Sequence, residues 1–354
     1  MRILVTGGAG FIGSALIRYL ILKLNHEVVC FDKFTYASSI EGLASVLDKE
    51  LFSLERKDIT NTKHVEYVFD KHKPDKLIHL AAETHVDRSI DGPRPFIETN
   101  IVGTYNLLEE SLKYWNSLDI EMKTKFRFHH VSTDEVFGDL KIDDEPFDEK
   151  TPYNPSSPYS SSKASSDHLV RAWNRTYGLP IVLSNCSNNY GPFQHPEKLI
   201  PLVLSKAIAG EQIPIYGKGD QIRDWLYVED HAEALIEILN KGKIGESYNI
   251  GGNCEVTNLQ LVKTLCQVLD RLTEHHPNGV KKYEDLISFV QDRPGHDKRY
   301  AINALKIKQE IHWEPNENLE TGLEKTVAWY LANQDWLEGK QQENFNGNRL
   351  GVLK

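Results

Sequence analysis

Apolar and polar positions alternate along this chain in blocks. The short apolar run Arg2–Val5 breaks at Thr6 into glycines, and apolar spacings of three and four then predict a helix over Ile12–Leu24. A second apolar run, Glu27–Phe31, ends at Asp32. The pattern recurs: Asp75–Leu80, Phe126–Ser132 and Ile181–Cys186 read as strands, while Pro93–Trp115 and Pro158–Tyr177 show helical spacing. Strands apolar on both faces are covered on both faces. The pattern therefore predicts an α/β fold, a doubly wound parallel sheet with helices on each side.

The texture changes after Asn185. Pro192, Pro196, Pro201, Pro214, Gly217 and Gly219 punctuate shorter elements, which places a smaller mixed α/β C-terminal domain there. The expected division is 1–185 for the first domain, with returns at about 224–251, 186–338 for the second, and a polar tail over 339–354. A net charge of −10 without a basic block argues against nucleic-acid binding. No apolar run reaches the roughly 18 residues of a membrane span, and the N-terminal residues lack a signal-peptide pattern. Cys30, Cys186, Cys254 and Cys266 form no C-x-x-C pair and read as free thiols in a reducing, cytoplasmic setting. No His/Cys/Asp cluster has metal-ligand spacing, so no metal is expected.

Thr6–Gly13 lies between the first strand and the first helix. Gly8-x-Gly10-x-x-Gly13 and the looser Gly7-x-x-Gly10-x-x-Gly13 both fit a dinucleotide-binding turn of Rossmann type, in which backbone N–H groups face a pyrophosphate. Asp32, at the end of the next strand, suits a ribose diol and repels a 2′-phosphate, favouring NAD over NADP. Lys33 could tolerate that phosphate but reads more simply as a solvated surface lysine. Asp58-Ile59 suits either the adenine edge or a plain turn.

Ser157-Pro158 reads as a helix start, so Tyr159 and Lys163, four apart, share one face. A phenol of pKa about 10 is a poor base at neutral pH. One cation at ~4 Å, with an effective dielectric of ~20, favours the phenolate by roughly 4 kcal/mol, about three pKa units. Lys163 and an oxidised nicotinamide ring are the cations at hand. Upstream, Thr133-Asp134-Glu135 follows a buried strand at the edge where open α/β sheets bind ligands. Two adjacent carboxyls push their pKa values apart and can act as acid and base. Which one holds the proton is open at this stage.

These stretches resemble the extended short-chain dehydrogenase/reductase family. They are TGGAGFIG at Thr6–Gly13, FDKFTYA at Phe31–Ala37, LAAETHVDRS at Leu80–Ser89, FIETNIVGTYNLLE at Phe96–Glu109 and STDEVFG at Ser132–Gly138. YSSSKASSDHLVRA at Tyr159–Ala172, NCSNNYGP at Asn185–Pro192, EKLIPL at Glu197–Leu202, RDWLYVEDH at Arg223–His231 and DRPGHDKRYAI at Asp292–Ile302 complete the set. Within that family the paired acids resemble the nucleotide-sugar 4,6-dehydratases. The resemblance implies a lyase acting on dTDP-glucose with NAD retained and regenerated each turn. Tyr159, aided by Thr133 and Lys163, would take the C4 hydroxyl proton, Glu135 the C5 proton, and Asp134 would protonate the departing C6 hydroxyl. It implies NAD contacts from Gly7, Gly10, Phe11, Ile12, Gly13, Asp32, Lys33, Thr35, Asp58, Ile59, Leu80, Ala82, Thr99, Tyr159, Lys163 and Asn189. It implies substrate contacts from Thr84, Thr133, Asn188, Lys198, Leu199, Pro214, Tyr216, Arg223, Asn258, Arg293 and His296, with Arg223 and Arg293 suited to grip a pyrophosphate. His85 and His296 read as hydrogen-bonding or packing residues. Two departures from the family pattern stand out: Thr84 where serine is usual, and Phe137 where tyrosine is common, at the expected edge of the site. The resemblance also implies a homodimer packed through Pro93–Trp115 and Pro158–Tyr177. A UDP-linked substrate, a 4-epimerase or decarboxylase on the same scaffold, and a non-catalytic dinucleotide-binding protein remain as rivals. The pathway beyond the product, L-rhamnose or another deoxysugar, stays open.

Overall fold

The computed structural model describes residues 1–344 except 278 and 293–295. The strands, in chain order, are Arg2–Thr6 (β1), Glu27–Asp32 (β2), Phe52–Arg56 (β3), Lys76–His79 (β4), Phe128–Thr133 (β5) and Ile181–Cys186 (β6). Asn188–Tyr190 (β7), Ile213–Tyr216 (β8), Ile222–Tyr227 (β9), Ser247–Ile250 (β10), Glu255–Thr257 (β11) and Ile287–Val290 (β12) follow. Seven of these form one sheet in the order β10-β6-β5-β4-β1-β2-β3, and every pairing in it is parallel. β5 and β6 are buried at every position, as strands covered by helices on both faces must be. The strand order reverses between β1 and β4, which opens a crevice at the carboxyl edge of the sheet.

Two helices depart from the sequence pattern. The helix expected over Ile12–Leu24 is α-helical only over Phe11–Arg18 and widens into a π turn at Tyr19–Lys23. The Pro93–Trp115 helix holds a π segment, Ile97–Gly103, ahead of Thr104–Ser117. At Gly103 the helix passes so close to Ile59 that an added Cβ would stand 2.6 Å from Ile59 Cδ1. A π turn leaves the apolar spacing almost intact, so periodicity does not reveal it.

The second part of the chain is interleaved with the first. β9 joins β7 and β11 in a three-stranded sheet, so the return to the main sheet starts at helix Val228–Lys241 rather than at Asp224. A further return was not read from the sequence: Ala304, Ile307, Ile311 and Trp313, in and beside helix Leu305–Ile311, bury into the same core as β1 and β2. A separate core joins helices Leu199–Ile208, Asn258–Leu272 and Leu319–Ala332. Helix Gln334–Asn344 runs into the stretch read as a tail; residues 345–354 lie outside the described residues.

Candidate active site

The glycine turn leaves β1 with Gly7 at φ +69°, where a Cβ would meet the Ala81 backbone nitrogen at 2.6 Å. A Cβ at Gly13 would stand 2.1 Å from the Gly7 carbonyl. Glycine is thus required for the turn and for the close seating of the helix. Helix Phe11–Arg18 starts at Gly10 with no side chain capping it, so its first N–H groups face the crevice. Asp32, at the tip of β2, is buried and accepts from the Ala9 and Phe34 N–H groups and the Ser38 hydroxyl at 2.7–3.1 Å. Burial raises its pKa against those bonds.

Every residue expected at the cofactor lines one cleft: Gly7, Gly10, Phe11, Ile12, Gly13, Asp32, Lys33, Thr35, Asp58, Ile59, Leu80, Ala82, Thr99, Tyr159, Lys163 and Asn189. A rigid glycine cradle with open helix N–H groups and a carboxylate at the next strand tip fits a dinucleotide. Lys33 is not the solvated lysine expected: it reaches Thr99 Oγ1 at 3.2 Å and Glu83 at 3.6 Å inside the cleft. Asp58 lines the cleft and also accepts from the Thr60 N–H, so it is a turn carboxylate as well.

The chemical groups meet at the same crevice. Thr133 ends β5, and Asp134–Phe137 forms a single 3₁₀ turn beyond it. Ser157 and Ser160 form a reciprocal capping box at the start of helix Pro158–Tyr177, which fixes the rotation that carries Tyr159 and Lys163 inward. Both are buried and line the cleft with Thr133, Asp134 and Glu135.

Asp134 is 1% exposed. Its Oδ1 accepts from Thr133 Oγ1 at 3.3 Å, while Oδ2 has no hydrogen-bond partner among the described residues. Burial, then the charges of Glu135 and Asp224, push its pKa well above the usual carboxyl value; Arg223 only partly opposes them. That environment favours the protonated form of Asp134.

Tyr159 is buried beside Glu135 and Thr133. Burial and the neighbouring Glu135 push its phenol well above 10, and a hydrogen bond with Thr133 opposes this weakly. Lys163 does not offset the burial. Its ammonium donates to the Val131 carbonyl at 2.9 Å, and burial lowers its own pKa. The protein alone holds Tyr159 as a neutral phenol.

Of the residues expected at the substrate, Thr84, Thr133, Asn188 and Lys198 line the cleft, whereas Leu199, Pro214, Tyr216, Arg223, Asn258 and His296 do not. Leu199 packs instead on the second core. Pro214 and Tyr216 belong to β8, Asn258 opens helix Asn258–Leu272, and His296 bonds Asp292 at 2.7 Å beside the Tyr216 ring. Arg223 is buried, donating to the carbonyls of Ile222 and Asp297 and stacking on Tyr300 at 4.3 Å. Arg293 lies outside the described residues. Phe137 is not at the site's edge: it stacks on Phe147 at 5.1 Å, within a small apolar cluster.

One group was missed. Glu197, its side chain 2% exposed, lines the cleft with His195, and Arg88 and His85 meet it at 3.2 and 3.6 Å. Arg88 also sits 3.9 Å over the Tyr36 ring. These residues come from three separate segments, so no spacing announces them.

Residues 4–326 match the family model described as GDP-mannose 4,6 dehydratase. The dTDP-glucose 4,6-dehydratase of Escherichia coli is 56% identical over 362 aligned positions, covering 100% of both chains. Among solved structures, the Bacillus anthracis dTDP-glucose 4,6-dehydratase in complex with NAD superposes with a TM-score of 0.84 at 41% identity, over 96% of this chain and 99% of that one. The Streptomyces venezuelae dTDP-glucose 4,6-dehydratase, also with NAD bound, gives 0.87 at 38%, over 96% and 100%. Matched end to end in sequence and fold, the chain belongs to the dTDP-glucose 4,6-dehydratases within that wider family.

Proposed function

We propose that the chain converts dTDP-glucose to dTDP-4-keto-6-deoxyglucose and water, as an NAD-dependent hydro-lyase. The observation that carries this reading is Asp134: a buried carboxyl whose pKa is pushed up, beside Glu135 and in the same crevice as Tyr159 and Lys163. An epimerase needs the Tyr/Lys pair but no acid to expel a hydroxyl.

When bound, NAD supplies the acceptor for the C4 hydride, the donor that returns it to C6, and a positive ring charge beside the phenol. In its phenolate form, which that ring charge and Lys163 would favour, Tyr159 accepts the C4 hydroxyl proton, with Thr133 holding it in place. The C4 ketone then acidifies C5–H. Glu135 takes that proton, Asp134 gives its own to the C6 oxygen, and water leaves. A proton returns to C5 as hydride reaches C6. Two protons leave the sugar and two are delivered: Glu135 returns its proton to C5, and exchange with solvent moves the proton gained at Tyr159 to replace the one lost at Asp134, so the enzyme ends each turn as it began.

The cradle of Gly7, Gly10 and Gly13, with Asp32, suits the cofactor pyrophosphate and ribose. Thr84, Asn188 and Lys198 suit the sugar nucleotide, and Arg223 reaches the site through its field at Asp134. The main sheet serves the cofactor, and Asn188 on β7 with Lys198 brings the second part of the chain to the substrate. Exposed Ile97, Val102 and Tyr105 on one long helix, and Tyr177 at the end of another, support a homodimer through these helices. The free thiols support a reducing, cytoplasmic setting; among the described residues no helix is long and apolar enough to cross a membrane.

The test is dTDP-glucose deuterated at C4, incubated with the purified holoenzyme and no reductant. Loss of one water with deuterium at C6 is expected. Deuterium kept at C4 with an inverted centre would return the epimerase to first place.

A further inference from the structure

Tyr159, Lys163 and Asp167 recur every four residues along helix Pro158–Tyr177, which puts all three on one face. The first two open on the cleft; the third lies one turn deeper and is fully buried. An aspartate with no solvent access is costly unless its charge is both paired and hydrogen-bonded. Asp167 has three partners. Its Oδ2 accepts from Ser132 Oγ at 2.8 Å and Tyr153 Oη at 2.9 Å, and its Oδ1 meets His130 Nε2 at 3.0 Å. His130 and Ser132 are alternate residues of β5, so they face the helix together, and the residue between them, Val131, offers the carbonyl that receives Lys163. One strand thus holds both the lysine and the acid.

We propose that Asp167 is a positioning residue for the redox step, the buried counter-ion that keeps Lys163 a cation beside Tyr159. This rests on the reading of Tyr159 and Lys163 as the alcohol-oxidising pair. The other groups facing Lys163 supply no compensating charge at neutral pH. His79 on β4 is held well below its ordinary pKa by burial, His130 on β5 is pushed down to about 4, and the Cys186 thiol on β6 is pushed up to about 12. Tyr159 is neutral, and Asp134 and Glu135 act on Tyr159 from the turn beyond β5. Arg171, one turn further along the helix, donates to Tyr153 Oη at 3.3 Å rather than to Asp167. Asp167 is the leading influence that favours the charged lysine, and its own pKa is lowered despite burial, by His130 first and then Lys163 and Ser132.

The test compares wild-type and D167N holoenzyme on dTDP-glucose, with and without deuterium at C4, from pH 6 to 9. Without the counter-charge Lys163 loses its proton at lower pH, and Tyr159 loses its cation. The upper limb of the kcat profile should move down by about one pH unit or more, giving roughly a tenfold deficit at pH 9 beyond that at pH 7, with KM little changed. The C4 deuterium isotope effect should grow as oxidation becomes limiting. A loss that is uniform across pH, with an unchanged isotope effect, overturns the proposal and leaves Asp167 a structural residue. Should D167N fail to fold or to retain NAD, Y153F, which removes one donor, should show a smaller shift in the same direction, and no shift overturns the proposal. If wild type itself releases no water, the functional reading falls first and takes this one with it.

Discussion

Two aspartates in this molecule are fully buried within a few residues of the chemistry and behave oppositely. Asp167, beneath the Tyr/Lys pair, has three hydrogen-bonding neighbours and a lysine one turn away, and is held ionised. Asp134, on the turn after β5, has a single long bond from Thr133 and two like charges nearby, and its protonated form is favoured. Burial penalises both charges equally in kind; the number of donors and the sign of the neighbours decide which acid keeps its proton. One becomes a fixed charge and the other a proton donor.

Replacing each by asparagine should break the symmetry of that comparison. D134N has no proton to give the C6 oxygen, so turnover should fall roughly a hundredfold or more. C4 oxidation should survive, visible as a reduced-nicotinamide absorbance that builds up on mixing with dTDP-glucose. A D134N enzyme with near-normal water loss would remove the acid from the scheme.

Heat unfolding should respond with opposite signs. The raised folded-state pKa of Asp134 means its contribution is fully present below the unfolded value near 3.8 and is lost as pH rises through the folded value. At neutral pH D134N should therefore unfold about 2 °C higher, on the order of 1 kcal/mol. The lowered folded-state pKa of Asp167 contributes above the unfolded value and is lost as pH falls through the folded one. D167N should cost about 3 kcal/mol at neutral pH, and the gap from wild type should narrow in acid. Calorimetry at two pH values reads both signs; a shift of the same sign for the two variants would undo the contrast.

Glu197, another acid with a buried side chain, lies between the extremes. Burial raises its pKa, while Lys198 and Arg88 oppose. It links the Tyr36 loop, His85 and Arg88 to the segment carrying His195 and Lys198. E197Q should weaken that clasp and speed NAD loss on gel filtration a few-fold, with activity restored by added NAD; unchanged retention would make Glu197 a packing residue.

The features legible in the sequence were those that one local segment carries whole. The glycine turn needs only its own backbone, and Tyr159 and Lys163 share a face because a helix repeats every 3.6 residues. The other residues expected at the cofactor came from the family resemblance, and they meet in one cleft although Thr99 sits on a π segment and Asn189 on β7 of the smaller sheet. The substrate side was harder. β8, β9 and helix Asn258–Leu272 come together through small sheets whose pairing no single segment dictates. Arg223 emerged as a buried arginine bound to carbonyls rather than as a cleft residue.

By itself, then, the chain determined the fold class, the cofactor turn, the Tyr/Lys pair and the presence of two adjacent acids, because each depends on residues close in sequence. Only the tertiary structure decided that burial and like charges favour a protonated Asp134, that burial favours a neutral Tyr159, and that Asp167 stands behind Lys163. Those outcomes depend on desolvation and on charges brought close by packing, and both exist only once strands and helices distant in sequence have met.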